Sequence, residues 1–198
     1  MSTSGEIDRE VHRVFAMVSE ALAQATHSLL HGDAEAGREV VKNDQLVDDL
    51  TRSVELHVWQ ELEAPGLSPG SIRYLVSVLL ILPELERSAD LAEHVAQRAV
   101  HNLGIAMTPL SRGIVQRMTE VALDMWRDAA DAYADRQAHS VQLDEADVEM
   151  DILHERLSAE IARGEMPAPV AAEVALLARF YERLGDHAVN LSRRIDHL

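Results

Sequence analysis

The stretch that decides the fold is LPELERSADLAEHVAQR, which runs from Leu82 to Arg98. Taken in steps of four residues, it places Glu86, Asp90, His94 and Arg98 in one row. A helix completes one turn in about 3.6 residues, so side chains four positions apart lie on the same face. The stretch therefore predicts a long helix that presents a ladder of acidic and polar side chains along one side.

The same ladder recurs near the C-terminus, in the stretch YERLGDHAVNLSRR. Its rungs are Glu182, Asp186, Asn190 and Arg194, each 96 residues after its counterpart in the first ladder. Both copies begin with the dipeptide Glu-Arg. A ladder that occurs twice at one fixed distance indicates an internal duplication.

A shorter acidic step, Asp-x-x-x-Asp, recurs in the second and fifth predicted helices. The pairs are Asp44 with Asp48 and, 103 residues later, Asp147 with Asp151. Because the ladders are 96 residues apart, the second copy has lost seven residues between its acidic step and its ladder. We expect the loss where residues 64–70 correspond to residues 164–169.

The chain as a whole shows helical periodicity and no alternation typical of strands. Breaks rich in Gly and Pro separate six predicted helices, at about 7–30, 34–62, 71–100, 109–135, 138–162 and 170–195. The predicted fold class is all-α, with two repeated three-helix bundles, one in residues 1–104 and the other in residues 105–198. Pro83 lies inside the third helix, and we expect a kink there.

Composition narrows the classes of function. With 198 residues, 47% of them apolar and 26% charged, the chain has the make-up of a soluble globular protein. Its formal net charge of −16 argues against unaided binding to nucleic acid or to anionic lipid. The absence of cysteine excludes disulfides, thiolate metal sites and cysteine nucleophiles. The N-terminal residues show no secretory signal, so we expect a cytoplasmic protein.

The four acidic steps are the candidate functional feature. One pair of carboxylates four residues apart is ordinary on a solvated helix face, but four pairs at matching places in two repeats point to retained metal ligands. Carboxylate oxygens suit Mg²⁺, Ca²⁺, Mn²⁺ and iron, and two steps in each half could hold a cluster of two or three ions. The predicted ligands are Asp44, Asp48, Glu86 and Asp90 in the first half, and Asp147, Asp151, Glu182 and Asp186 in the second. His94 and Asn190 occupy equivalent rungs and are interpreted either as helix-surface groups or as additional ligands.

An enzymatic interpretation finds little support in the sequence. Di-iron oxidases in helical bundles use Glu-x-x-His pairs, and no Glu here has a His three residues later. Asp151 with His154 is the nearest approach, and the first half has no counterpart. The chain also lacks a glycine-rich phosphate loop, a Gly-x-Ser-x-Gly elbow and a His-Glu-x-x-His motif. A metal site would therefore be structural or regulatory.

The residues also carry a family resemblance. The segment ERLGDHAVN, residues 182–190, resembles the ERxGDHAxN signature of the PhoU family, and ERSADLA, residues 86–92, resembles its degenerate first copy. The two Asp-x-x-x-Asp steps are similar to the family's repeated E(D)xxxD pattern. The resemblance covers about residues 7–195. In the first copy Ser88 and Ala89 stand where the family has a hydrophobe and glycine, so we expect a weaker first metal cluster than second.

This resemblance implies two three-helix bundles with metal clusters on the acidic steps, holding Fe, Mn, Zn or Mg. It implies negative regulation of phosphate uptake and of a phosphate regulon, by contact with a phosphate ABC transporter and a sensor histidine kinase. We further expect a homodimer that reaches the membrane through its protein partners. The alternatives are a carboxylate-bridged metal-dependent enzyme or metal store on a helical bundle, and a helical adaptor without metal.

Overall fold

The structure is a computed structural model that describes the backbone of residues 3–195 and the side chains of residues 5–139 and 141–195. Over that range it contains helices and no strand. The helices are α1 (Thr3–His31), α2 (Ala34–Leu62), α3 (Pro69–Val100), α4 (Leu103–Ala106), α5 (Pro109–Asp135), α6 (Ser140–Ala162) and α7 (Ala168–Ile195). The prediction of an all-α protein is confirmed, and the six long helices are those expected from the sequence.

The helix ends follow from local capping chemistry. Gly32 follows the end of α1 with a φ of +70°, a conformation that costs glycine little. Asp33 caps α2, accepting a hydrogen bond from the Ala36 N–H at 3.1 Å. Thr108 caps α5 in the same way and is followed by Pro109, which lacks the N–H that a first helical residue leaves unpaired.

The short helix α4 is the element that the sequence did not predict. Asn102 adopts the left-handed conformation, with a φ of 60°, and this ends α3 and starts the single turn of α4. Gly104 lies so close to α1 that an added Cβ would stand 1.8 Å from the Leu29 carbonyl oxygen. The predicted boundary between residues 104 and 105 falls inside this turn, and it stays a prediction.

Each half packs as a three-helix bundle, α1–α2–α3 and α5–α6–α7. The halves meet where α1 packs against α5 and α3 packs against α7. Because α2 packs on α1 and α3, and α6 packs on α5 and α7, these two helices flank the central four. The acidic steps of α2 and α6 therefore face the ladders of α3 and α7 across one helix–helix contact in each half.

The seven-residue difference between the repeats is distributed over three places. With the acidic steps and the ladders aligned, α2 extends three residues beyond the end of α6, its following loop is one residue longer, and α3 starts three residues earlier than α7. The sequence placed the whole difference in the loop. The first half is thus taller than the second at this end of the bundle.

Buried polar contacts join the halves. Asp8 on α1 accepts hydrogen bonds from the hydroxyls of Tyr74 on α3, at 2.6 Å, and Tyr133 on α5, at 2.9 Å. The guanidinium of Arg136, just after α5, lies 3.1 Å from the same carboxylate and stacks over the Tyr74 ring. These contacts fix α5 relative to the first bundle.

Candidate metal centres

The first candidate centre forms where α2 faces α3. Asp44 and Asp48 lie one turn apart on α2, and Asp90 faces them from α3. One carboxylate oxygen from each of the three residues lies within 4.8 Å of the other two. Three oxygens at that mutual distance can contact a single cation of the size that carboxylates bind, because metal–oxygen bonds are about 2.0–2.6 Å.

Burial and repulsion act together on the carboxylates of this centre. The pKa of Asp44 is raised from 3.8 to about 7, first by burial and then by the negative charges of Glu93, Asp48 and Asp90. Without a cation, Asp44 therefore titrates near pH 7, and its neutral form limits the repulsion. A bound cation would reverse this effect and restore the charged carboxylate.

Glu93 belongs to this environment although the sequence did not single it out. It follows Asp90 by three residues on α3 and lines, with Asp44 and Glu20, a cavity of about 110 Å³ between the helices of the first half. Positions three apart share a helix face just as positions four apart do. Extending the ladder by a step of three would have found this residue.

Glu86 lies at the solvent edge of the same centre. Burial and the neighbouring charges of Asp48 and Asp90 raise its pKa, and the positive charges of Arg52 and Arg87 offset only part of this rise. The carboxylate of Glu86 is not one of the three that meet within 4.8 Å. It would complete a centre only by turning toward the α2 step.

The second candidate centre brings its four predicted residues into one electrostatic neighbourhood. Burial raises the pKa of Asp147, and the charges of Asp151 and Asp186 raise it further. Burial also raises the pKa of Glu182, followed by the charge of Asp186. The same Glu182 forms an ion pair with Arg179 on the next turn of α7.

The two centres differ in how closely their oxygens meet. In the part of the chain that the structure describes, the group Asp44, Asp48 and Asp90 is the one set of three possible ligands with atoms within 4.8 Å of each other. In the second half an arginine competes for Glu182, and Arg193 lies near Asp147. The fuller signature of the second ladder led us to expect the stronger site there, whereas the side-chain geometry favours the first half.

His94 does not join the oxygen group of Asp44, Asp48 and Asp90. The His94 ring stacks on Phe180 of α7, with ring centroids 5.2 Å apart. The guanidinium of Arg98 also lies over the Phe180 ring. His94 therefore serves the packing of α3 against α7. Its Nδ1 is buried without a hydrogen-bond partner among the described residues.

Ser88 has a role that explains its departure from the family pattern. Its hydroxyl lies 2.8 Å from His187 Nδ1 on α7 and donates to the Glu84 carbonyl at 2.7 Å. The carboxylate of Glu84 in turn pairs with Arg194 at 3.1 Å. The serine of the first ladder and the histidine of the second signature thus form one buried link between the repeats, and no local sequence pattern could have shown that they meet.

Comparison with known proteins agrees with this architecture. The family model described as PhoU domain matches residues 11–99 and 115–195, one match in each half. This chain belongs to the PhoU family. No helix among residues 3–195 has both the length and the apolar character needed to cross a membrane.

Relatives from other bacteria align with nearly the whole of this PhoU-family chain. It is 28% identical over 194 residues to phosphate-specific transport system accessory protein PhoU homolog 2 of Mycobacterium tuberculosis, covering 96% of this chain and 91% of that one. It is 25% identical over 194 residues to PhoU homolog 1 of Thermotoga maritima, covering 96% and 84%.

Two solved structures share the fold. PhoU from Pseudomonas aeruginosa superposes with a TM-score of 0.89 at 20% identity, covering 98% of this chain and 95% of that one. The phosphate transport system regulatory protein PhoU from Streptococcus pneumoniae gives a TM-score of 0.82 at 18% identity, covering 96% and 92%.

Proposed function

We propose that this PhoU-family chain is a metal-binding, non-enzymatic negative regulator of phosphate uptake and phosphate-regulon signalling. The observation that carries the proposal is the cluster of three carboxylates formed by Asp44, Asp48 and Asp90. One oxygen from each lies within 4.8 Å of the other two, at the place where the duplicated acidic motif lies. The names of the relatives, which call them accessory proteins of a phosphate-specific transport system, supply the phosphate context.

The donor set fits a hard cation. It consists of carboxylate oxygens alone, held on two helices, and burial followed by repulsion from the neighbouring carboxylates raises the pKa of Asp44 to about 7. The residues that would hold metal are Asp44, Asp48, Glu86 and Asp90 in the first half and Asp147, Asp151, Glu182 and Asp186 in the second. A bound Fe, Mn, Zn or Mg ion would neutralise these acids and fasten α2 to α3 and α6 to α7.

The regulator would act by contact with other proteins. We propose a phosphate ABC transporter and a sensor histidine kinase as its partners, reached as a homodimer at the cytoplasmic face of the membrane. A net charge of −16 supports recruitment by basic protein segments, because anionic lipid repels such a surface. Charge-driven recruitment weakens with salt, since the Debye length falls from about 10 Å at 0.1 M to about 3 Å at 1 M.

Two experiments test the proposal. Protein purified without chelators or affinity tags should contain more than about one metal ion per chain, and a strain lacking it should lose phosphate control of its phosphate-regulated genes. Reintroducing the wild-type chain should restore that control, and a double variant of Asp44 and Asp48 to Asn should not. Metal-free protein together with unchanged phosphate control in the deletion strain would contradict the proposal.

A further inference from the structure

A groove between α2 and α3 opens beside the first candidate centre. It has a volume of about 250 Å³, and Trp59, Leu79 and Pro83 form its apolar walls. Asp48 and Glu86 also line it, and both belong to the predicted metal ligands. We call this cleft the α2/α3 groove.

The apolar surface continues from the groove along α3. Ile72, Val76 and Leu80 are exposed to 44%, 42% and 46%, and Trp59 to 51%. Positions three or four apart on a helix are neighbours, so Val76 and Leu80 adjoin Leu79 and Pro83. The result is one connected apolar face. We call the part of it formed by Ile72, Val76 and Leu80 the apolar stripe. Connected exposed apolar patches of this kind mark interaction surfaces.

The repeat shows that the fold does not require this surface. The second-half positions that correspond to Ile72, Val76 and Leu80 are Ala168, Ala172 and Leu176. Those that correspond to Pro83 and Trp59 are Arg179 and Ala162. Leu176 keeps a large exposed side chain, but the second half otherwise forms the same three-helix architecture with small or charged residues at these places. The large side chains of Trp59, Ile72 and Val76 are therefore not required by the fold, which points to a ligand of the first half.

The charges and backbone around the groove select a basic ligand. Asp48, Glu55 and Glu86 line it, against one arginine, Arg52, which is paired with Asp49 at 3.6 Å. Pro83 has no N–H, so the Leu79 carbonyl lacks its usual helical hydrogen bond at this point of the groove. The exposed Trp59 ring adds a surface on which a lysine or arginine can stack.

We propose that the α2/α3 groove and the apolar stripe bind a basic amphipathic helix of a partner protein, and that metal in the first centre weakens this binding. The inference rests on the proposed function, since it gives that regulator a partner surface. Apolar side chains of the helix would cover the stripe, and its lysines or arginines would meet Asp48, Glu55 and Glu86. A second copy of this chain fits less well, because pairing two such faces would bring like charges together.

Metal and partner are coupled because they use the same carboxylates. A cation held at the first centre by Asp48 with Asp44 and Asp90 offsets part of the negative charge that attracts the basic helix. By thermodynamic reciprocity, the bound helix lowers metal affinity by the same factor. Metal binding at the first centre would therefore release the partner, and metal loss would favour docking.

The probe is a fluorescently labelled synthetic peptide of about 18 residues, long enough to form a helix, with leucines on one face and lysines and arginines on the other. Its binding to chelator-treated, full-length protein is measured by fluorescence anisotropy. Val76→Asp should weaken binding at least about tenfold, because it places a charge where the bound peptide would bury an apolar side chain. The matched control is Leu176→Asp, at a similarly exposed second-half position that corresponds to Leu80, and it should change affinity less than about twofold.

Metal is then added to the same assay. Saturating Mn²⁺ should weaken peptide binding by about fivefold or more in the wild-type chain. Asp44→Asn should abolish this metal effect, and Glu182→Gln in the second centre should leave it in place. With unlabelled peptide, docking should shift the emission of Trp59, while Trp126 is fully buried and serves as an internal reference.

Several results would overturn the inference. Equal losses from Val76→Asp and Leu176→Asp, or equal binding of a peptide with glutamates in place of its basic residues, would exclude the groove as the docking site. A change in molecular mass of the free protein on Val76→Asp would assign the face to a second copy. Equal peptide affinity with and without Mn²⁺ would exclude the proposed coupling between metal and partner. These results could occur while the wild-type chain still binds metal and restores phosphate control. In that case the assignment of the groove as a docking site is wrong and the proposed function stands.

Discussion

Substituting Asp44 should have opposite effects on stability without and with metal. In the metal-free protein the folded state raises the pKa of Asp44 from 3.8 to about 7, so folding takes up a proton at intermediate pH. A carboxyl with a raised folded pKa contributes most stability at low pH, and this is lost as pH rises from about 4 to about 7. Asp44→Asn removes that loss, so the variant should be more stable than wild type at pH 8.

The size of the effect follows from the shift. A rise from 3.8 to about 7 corresponds at most to about 4 kcal/mol, at 1.36 kcal/mol for each pH unit. Asp44 is only partly buried, and solvent screening reduces this to about 2 kcal/mol. With metal at a hundred times its dissociation constant for the first centre, wild type should gain about 2.7 kcal/mol from that centre, and a variant that no longer binds metal there should gain almost nothing from it. The order of stabilities should therefore reverse when metal replaces chelator.

Urea denaturation at pH 4 and pH 8, with chelator or with Mn²⁺, measures both effects. Asp49→Asn is the matched control, since the Asp49 side chain is 60% exposed on the same helix and should change stability by less than about 0.5 kcal/mol. An Asp44→Asn protein less stable than wild type at pH 8 in chelator would refute the account of repulsion. Full metal stabilisation in that variant would refute the assignment of Asp44 as a ligand.

Three further changes have defined outcomes. Asp90→Asn should lower the metal content of purified protein more than Asp186→Asn does, because the Asp90 oxygen already meets its partners within 4.8 Å; elemental analysis showing the reverse would favour the ranking drawn from the signature. Gly104→Ala should destabilise by at least about 2 kcal/mol in thermal denaturation, since its Cβ would overlap the α1 backbone, whereas Gly113→Ala, with open space around its Cβ, should stabilise by about 0.5–1 kcal/mol. Ser88→Ala should cost about 1–3 kcal/mol in urea denaturation by leaving the buried imidazole on α7 without its partner, and a neutral result would show that the link between repeats is dispensable.

The fold was predictable because its signals are local. The periodicity of the apolar residues determined the six long helices, and Gly32 with Asp33, and Thr108 with Pro109, determined where they end or begin. The turn of α4 was not predictable, because it depends on a left-handed Asn102 and on the approach of Gly104 to α1. That approach is a contact between segments distant in sequence.

The candidate site was predictable at the level of helix faces and no further. Steps of four placed the acids on facing sides of α2 and α3, but only the packing distance shows that Asp90 meets Asp44 and Asp48 while Glu86 lies at the edge. The signature favoured the second half, but it begins at Glu182 and leaves out Arg179, three residues earlier on α7, which forms an ion pair with Glu182. Side-chain geometry across a helix–helix contact is set by tertiary packing, which motifs do not encode.

The most direct test of the central claim is anomalous diffraction from crystals grown with Mn²⁺. The account predicts an anomalous peak between α2 and α3 within coordination distance, about 2.0–2.6 Å, of carboxylate oxygens of Asp44, Asp48 and Asp90. A second peak is predicted between α6 and α7, at Asp147, Asp151, Glu182 and Asp186. Crystals with saturating Mn²⁺ and no peak at either carboxylate group would contradict the claim that the duplicated acidic steps are metal centres.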